Sequence, residues 1–168
     1  MTAAPGERDA RAEIERLYRS HGQLVLRRAR LLLGSEPDAQ EALQEIFAAL
    51  LREPESLRAI SSTVGFLYRA TTHHCLNQLR NRRTGARLIA ARLVPAQSEQ
   101  APGNAEAMAE VRSLLAQLQP EVAQAVVHIH LDGMTHDETA ELLGCSRRQV
   151  GYLLERAQQS LARAEQLA

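Results

Sequence analysis

Thr135-His-Asp-Glu-Thr-Ala-Glu-Leu-Leu-Gly-Cys-Ser-Arg-Arg-Gln-Val150 reads as two short helices joined by a tight turn. Thr135-x-x-Glu138 opens the first helix and Ser146-x-x-Gln149 the second. In each, an N-cap hydroxyl precedes a side chain three residues on that can reach back to the cap. Gly144 supplies the positive φ that the turn requires. Ala140 is small where the second helix must cross the first, and Val150 faces inward soon after the second start. Val150, Leu153, Leu154, Ala157 and Leu161 then form a buried stripe. Arg147, Arg148, Gln149, Tyr152 and Arg156 remain for the outer face, where Arg and Gln can reach base edges and phosphates in a major groove. The pattern predicts a helix-turn-helix; its plain alternative is an ordinary helical hairpin with a solvated, charged end.

Helical periodicity also dominates upstream. Ile14, Leu17, Tyr18, Leu24, Val25, Leu31 and Leu32 predict a first helix or helix pair ending at Gly34. Ser35, Pro37 and Asp38 start a second helix, with Ala39, Leu43, Ile46, Phe47 and Leu50 on one face. A looser segment from Glu53 to Ser62 precedes a third helix, expected from about Thr63 to Arg83. Its apolar face is Val64, Leu67, Tyr68, Cys75 and Leu79, and its other face carries Arg69, His73, Asn77 and Arg80. Pro95 to Asn104 has two prolines, a glycine and few large apolar residues, and reads as a flexible linker. Beyond it, Ala107, Val111, Leu114, Leu115 and Leu118 open a smaller lobe. Gln119-Pro120 restarts a helix expected to run to about Leu131, where Asp132-Gly133 breaks it. No strand pattern is visible, so the expected fold is all-α: two helical domains, 1–94 and 105–168, joined by the linker 95–104. Aromatics make up only 3% of the chain and Trp is absent, so the core rests on Leu, Ala, Val and Ile, which also favours helices.

Charge is segregated along this scaffold. The chain is neutral overall, with 20 basic and 20 acidic residues, every basic one an arginine. Yet residues 56–98 hold seven arginines and no Asp or Glu, whereas Asp38, Glu41 and Glu45 form an acidic stripe just before them. Net neutrality therefore conceals one surface suited to a polyanion and another suited to a basic partner. Phe66 and Tyr68 lie beside the arginine stripe, where aromatics suit unstacked bases, or alternatively the core. Plain readings exist for both stripes: a solvated arginine face, and carboxylates stabilised near a helix N-terminus by its dipole.

Other chemistries find little support. Cys75 and Cys145 are far apart and lack CxxC spacing, which fits a reducing cytoplasm better than a disulfide scaffold. Consecutive His73, His74 and Cys75 point about 100° apart on a helix and cannot chelate together. His128 and His130 fail similarly, and His136 with Cys145 makes only two ligands, so no metal or cofactor is expected. Cys145 is read as a small buried residue rather than a redox sensor. No nucleophile–base spacing points to an enzyme. No apolar run approaches the roughly 18–20 residues that span a bilayer, and no signal peptide is visible, so membrane insertion is not expected.

Taken together, Asp38-Ala-Gln-Glu-Ala-Leu-Gln-Glu-Ile-Phe47, Phe66-Leu-Tyr-Arg-Ala70, Leu79-Arg-Asn-Arg-Arg83 and the helix-turn-helix from Thr135 to Ala157 resemble one family. The chain is similar, over roughly Glu13 to Ala164, to bacterial RNA polymerase sigma factors of the extracytoplasmic-function group, which keep only sigma domains 2 and 4. The resemblance implies a promoter-directing transcription initiation factor. Its acidic helix, Asp38, Glu41, Gln44 and Glu45, would dock on a coiled coil of the largest subunit of core RNA polymerase. Arg52, the loop to Ser62, Phe66, Arg69, His73, Asn77, Arg80, Arg82 and Arg83 would bind the −10 element. Arg147, Arg148, Gln149, Tyr152 and Arg156 would read the −35 element, and the linker would thread toward the RNA exit path. An anti-sigma factor is the regulatory partner that the resemblance implies.

The chain departs from the family pattern at several positions. Phe66 stands where Trp is common, and Thr72-His73 where Arg-Asn is common. Gly151 and Leu153 occupy recognition-helix positions usually filled by Lys and Arg, which implies weak independent −35 binding. Gly151 also costs its helix about 1 kcal/mol relative to Ala. Two rival readings remain at this point. A stand-alone dimeric helix-turn-helix regulator would bind a palindrome without polymerase. A sigma-like interaction module would only titrate a partner.

Overall fold

A computed structural model describes residues 5–57, 61–90 and 104–166. All the regular structure among them is helical: α1 (Pro5–Leu33), α2 (Glu36–Arg52), a 3-10 turn (Pro54–Leu57), α3 (Thr63–Ala90), α4 (Asn104–Leu115), α5 (Pro120–Val126), a π turn (Val127–Leu131), α6 (His136–Leu143) and α7 (Arg147–Gln166). None of these helices is long and apolar enough to cross a membrane. The expected linker lies outside the described residues except for Asn104, which begins α4. Two compact units are distinguished, Met1–Cys75 and Leu76–Ala168.

In the first unit, α1 is one continuous helix rather than a pair. It ends where Gly34 takes the left-handed conformation (φ 69°) and its N–H bonds back to the Arg30 carbonyl at 2.9 Å. Ser35 then caps α2, its hydroxyl accepting from the Asp38 N–H. Across this corner the Arg30 guanidinium grips the Glu36 carboxylate with two N–H donors, one of them at 2.7 Å. The core lies between α1 and α2, where Ala29, Ala39 and Ala42 are fully buried and permit close approach. Val25, Leu32, Ile46, Phe47 and Leu50 fill the remaining space. Tyr18 is half exposed yet packs edge-on against Phe47, with ring centroids 5.1 Å apart.

Four residues expected on apolar faces are exposed rather than in the core: Tyr18 (46%), Leu31 (44%) and Val64 (47%) here, and Leu114 (39%) in the second unit. On α3 the buried face instead recruits Thr71 and Thr72, both at 0%. Their hydroxyls donate back to the Leu67 and Tyr68 carbonyls at 2.6 and 2.8 Å, so each donor is satisfied within its own helix. Periodicity in apolar residues alone misses these positions. The helix also runs on to Ala90, beyond the expected end at Arg83.

In the second unit, the Gln119–Pro120 restart and the Asp132–Gly133 break both occur as expected. The last turn of that helix, however, widens to π geometry, with the Asp132 N–H bonding the Val127 carbonyl at 3.0 Å. This turn buries His128 completely and sets its Nδ1 2.9 Å from Asp132 Oδ2. Thr135 and Glu138 form a complete capping box on α6. Gly144 closes α6 at φ 66°, and the Cys145 N–H returns to the Ala140 carbonyl at 3.0 Å. The Ser146 hydroxyl accepts from the Gln149 N–H at 3.1 Å to start α7. Val150, Leu153 and Ala157 are buried, as their stripe predicts, whereas Leu154, Leu161 and Cys145 are only half buried.

Candidate polymerase and nucleic-acid interfaces

The acidic face follows from how α2 is buried. Ala39, Ala42, Leu43, Ile46, Phe47 and Leu50 turn inward. Glu41, Gln44 and Glu45 are left exposed, with Asp38 half buried at the capped first turn. Gln44 adds no charge but is exposed one turn beyond Glu41, where its amide can donate and accept. Glu45 is engaged within the unit, its Oε2 lying 3.4 Å from His74 Nε2 on α3.

That pair marks the edge of an open cleft of about 590 Å³ between the end of α2, the 3-10 turn and α3. Arg52, Phe66 and His73, each assigned to −10 binding on sequence resemblance, line it together with Glu53 and His74. Sequence reasoning missed Glu53 and His74. His74 lies off the arginine stripe, and nothing in sequence spacing pairs it with Glu45. Arg69 is exposed on the same helix. Further along α3, Asn77 and Arg83 are half buried and Arg82 is exposed. Arg80 is partly committed to the protein itself, its Nη2 donating to the Leu118 carbonyl at 3.3 Å. The loop leading to Ser62 is described only in part, because residues 58–60 lie outside the described set.

Thr72 is buried at 0%, so in this chain its position faces the core rather than DNA. Its hydroxyl accepts from Nε of Arg28 at 2.8 Å. Arg28 is 5% exposed and comes from α1. A cation is thus present beside this position, but inside the fold. The Cys75 thiol, also buried, is pushed up to about 12 by burial, against a smaller opposing effect of Arg28. It therefore stays protonated and unreactive near neutrality.

On α7, Arg147, Arg148, Gln149 and Tyr152 are exposed and Arg156 is half buried, so the outer face holds all five predicted side chains. Arg147 Nη1 lies 3.6 Å from Asp137 Oδ2 on α6, a solvent-exposed pairing of little energetic weight. Arg156 donates from Nη2 to Gln119 Oε1 at 2.5 Å. The supposed loss of two cations from this face needs correction at one position: Leu153 is 6% exposed and belongs to the core, so no DNA contact is lost there. Only Gly151 faces outward, and a Cβ built on it would meet nothing within 4 Å. Among the described residues, no group of three or more His, Cys, Asp or Glu side chains is arranged to hold a metal ion.

This order along the chain, an acidic helix, a basic helix and then a capped helix-turn-helix, has counterparts among known proteins. Residues 17–84 match the model for Sigma-70 region 2, and residues 108–161 match that for Sigma-70 region 4. The ECF RNA polymerase sigma factor SigE of Mycolicibacterium smegmatis is 30% identical over 165 residues, covering 94% of this chain and 63% of that protein. The ECF RNA polymerase sigma factor SigM of Mycobacterium tuberculosis is 28% identical over 153 residues, covering 91% of this chain and 77% of SigM. The chain therefore spans somewhat under two thirds of the length of SigE. The fold is like that of the sigma factor RpoE from Bartonella quintana, solved with the anti-sigma factor NepR. There the TM-score is 0.53 at 15% identity, over 90% of this chain and 95% of the other. The chain belongs to the sigma-70 family of RNA polymerase sigma factors, in its extracytoplasmic-function group.

Proposed function

We propose that this chain is an alternative sigma factor that binds core RNA polymerase and directs it to specific promoters, itself making and breaking no bond. The observation that carries the reading is the order of surfaces. An exposed acidic face on α2 precedes a cleft lined by Arg52, Phe66 and His73, and an arginine-bearing recognition helix follows. A repressor that binds DNA alone needs only the last of these.

Each surface has a physical task. Asp38, Glu41, Gln44 and Glu45 meet a basic coiled-coil face of the largest polymerase subunit through complementary charge, which also speeds encounter. Arg69, Asn77, Arg80, Arg82 and Arg83 attract the phosphates of the −10 region. The Phe66 ring offers a stacking face for an unpaired base beside Arg52 and His73. Arg147, Arg148, Gln149, Tyr152 and Arg156 enter the major groove at the −35 element. The corresponding domain assignment is 1–94 for polymerase and −10 binding, 95–104 for the linker and 105–168 for the −35 element. An anti-sigma factor that covers these surfaces completes the reading. The place of action is the compartment that holds polymerase and chromosome, the cytoplasm.

Run-off transcription with purified core polymerase and a library of upstream genomic fragments tests this. Transcripts that need this chain, and that disappear in an Asp38→Arg/Glu41→Arg double variant, are the expected result. Retarded DNA without polymerase, and no transcripts, would establish a stand-alone regulator instead.

A further inference from the structure

Gln119 occupies the N-cap position of α5 but does not cap it, since its side chain makes no bond to the helix N-terminus. Its backbone is nonetheless tightly held. Leu118 is buried beside it, the Leu118 N–H bonds the Leu115 carbonyl at 3.2 Å, and the Gln119 carbonyl accepts from the Ala123 N–H at 2.9 Å. Pro120 follows and restricts the chain further. From this rigid base the side-chain amide oxygen reaches across to α7 and accepts from Arg156 Nη2 at 2.5 Å. Resting on the reading of α7 as the DNA-reading helix, we propose that Gln119 is a positioning residue, holding Arg156 in the pose that meets the −35 duplex.

The choice of acceptor matters. A free arginine side chain loses considerable rotamer freedom when it binds, and a pre-oriented one loses less. A carboxylate at residue 119 would orient the guanidinium equally well, but it would cancel the charge and repel phosphate. The neutral amide orients it and leaves the full positive charge, with four further N–H donors, for DNA. Arg156 lies four residues beyond Tyr152 and seven beyond Gln149, so the three share one side of α7 and a fixed Arg156 sets one end of the reading surface.

The test uses the full chain with core polymerase on a promoter selected by the wild-type protein. Gln119→Ala is expected to lower transcript yield at limiting sigma by about 3- to 10-fold, the weight of one oriented hydrogen bond. Arg156→Met lowers it further, and the double variant matches Arg156→Met alone, because Gln119 acts only through Arg156. Gln119→Glu keeps the tether yet falls below Gln119→Ala, with a shallower dependence of yield on salt. A role confined to holding α7 in place would be met equally by Glu, so wild-type yield from Gln119→Glu overturns the proposal. Multiplying effects in the double variant, or a Gln119→Ala variant equal to wild type, overturn it too. A wild-type chain that supports no promoter-dependent transcript removes the sigma reading itself, and this inference with it.

Discussion

The guanidinium of Arg28 lies over the ring of Tyr68, with Cζ 3.6 Å from its centroid, while Nε donates to Thr72 Oγ1 at 2.8 Å. One buried cation on α1 thereby grips two residues a helical turn apart on α3. The ring face adds a cation–π contact to the guanidinium. The contact orients the helix that carries Arg69 and His73. Thr72→Val preserves shape and removes the acceptor, leaving a buried charged donor short of a partner. It should destabilise the chain by about 1–3 kcal/mol. Tyr68→Phe keeps the ring face and should cost under about 1 kcal/mol, whereas Tyr68→Leu, which removes it, should cost more. Urea midpoints at unchanged slope measure the order; equal costs for the two Tyr68 variants would remove the ring from the account.

Cys75 should resist alkylation. Its thiol is pushed up to about 12 by burial, so the thiolate is scarce at pH 8 and the sulfur is enclosed. Iodoacetamide should label it only under denaturing conditions. Labelling of Cys75 in the native chain at a rate like that of a free thiol would contradict the packing of α3.

The capping box of α6 should show itself in acid. Glu138 accepts from the Thr135 N–H at 2.7 Å and from its hydroxyl at 2.8 Å. The backbone bond first, and the hydroxyl second, hold its carboxyl below the ordinary range. A depressed folded-state value means this contribution is present above the unfolded glutamate value and fades as pH falls through the folded one. Thr135→Ala should therefore cost about 1 kcal/mol at neutral pH and progressively less in acid. A difference between variant and parent that stays constant from pH 7 to pH 3 would show that the carboxylate is not part of the cap.

Gly151 is the outward position on α7 where a side chain has room. Gly151→Ala should stabilise the chain by up to about 1 kcal/mol through helix propensity. Gly151→Arg should add a cation to the face proposed to meet DNA, tighten binding and steepen its salt dependence by about one counterion. The matched control is Leu153→Arg, which must bury a charge in the core of the second unit and should unfold it. A folded Leu153→Arg variant, seen by circular dichroism, would refute the burial of that residue.

What the chain determined by itself was local. Apolar spacing, Ser35, Pro37, Thr135, Gly144 and Ser146 specify helices, caps and turns through bonds only a few residues long. The segregation of Asp38, Glu41 and Glu45 from the arginines that follow is likewise plain in the order of residues. Tertiary structure decided which polar groups are inside and which side chains meet. Thr71 and Thr72 enter the core because their hydroxyls bond their own helix, so no apolar pattern announces them. Burial of Leu153, which its apolar stripe already announced, settles against the family resemblance that would have put it outside with Gly151, about 200° away around the helix. The gathering of Arg52, Phe66 and His73 around one cleft, and the reach of Gln119 to Arg156, depend on contacts between helices distant in sequence. Such contacts depend on how the helices pack, and helical periodicity carries no information about them.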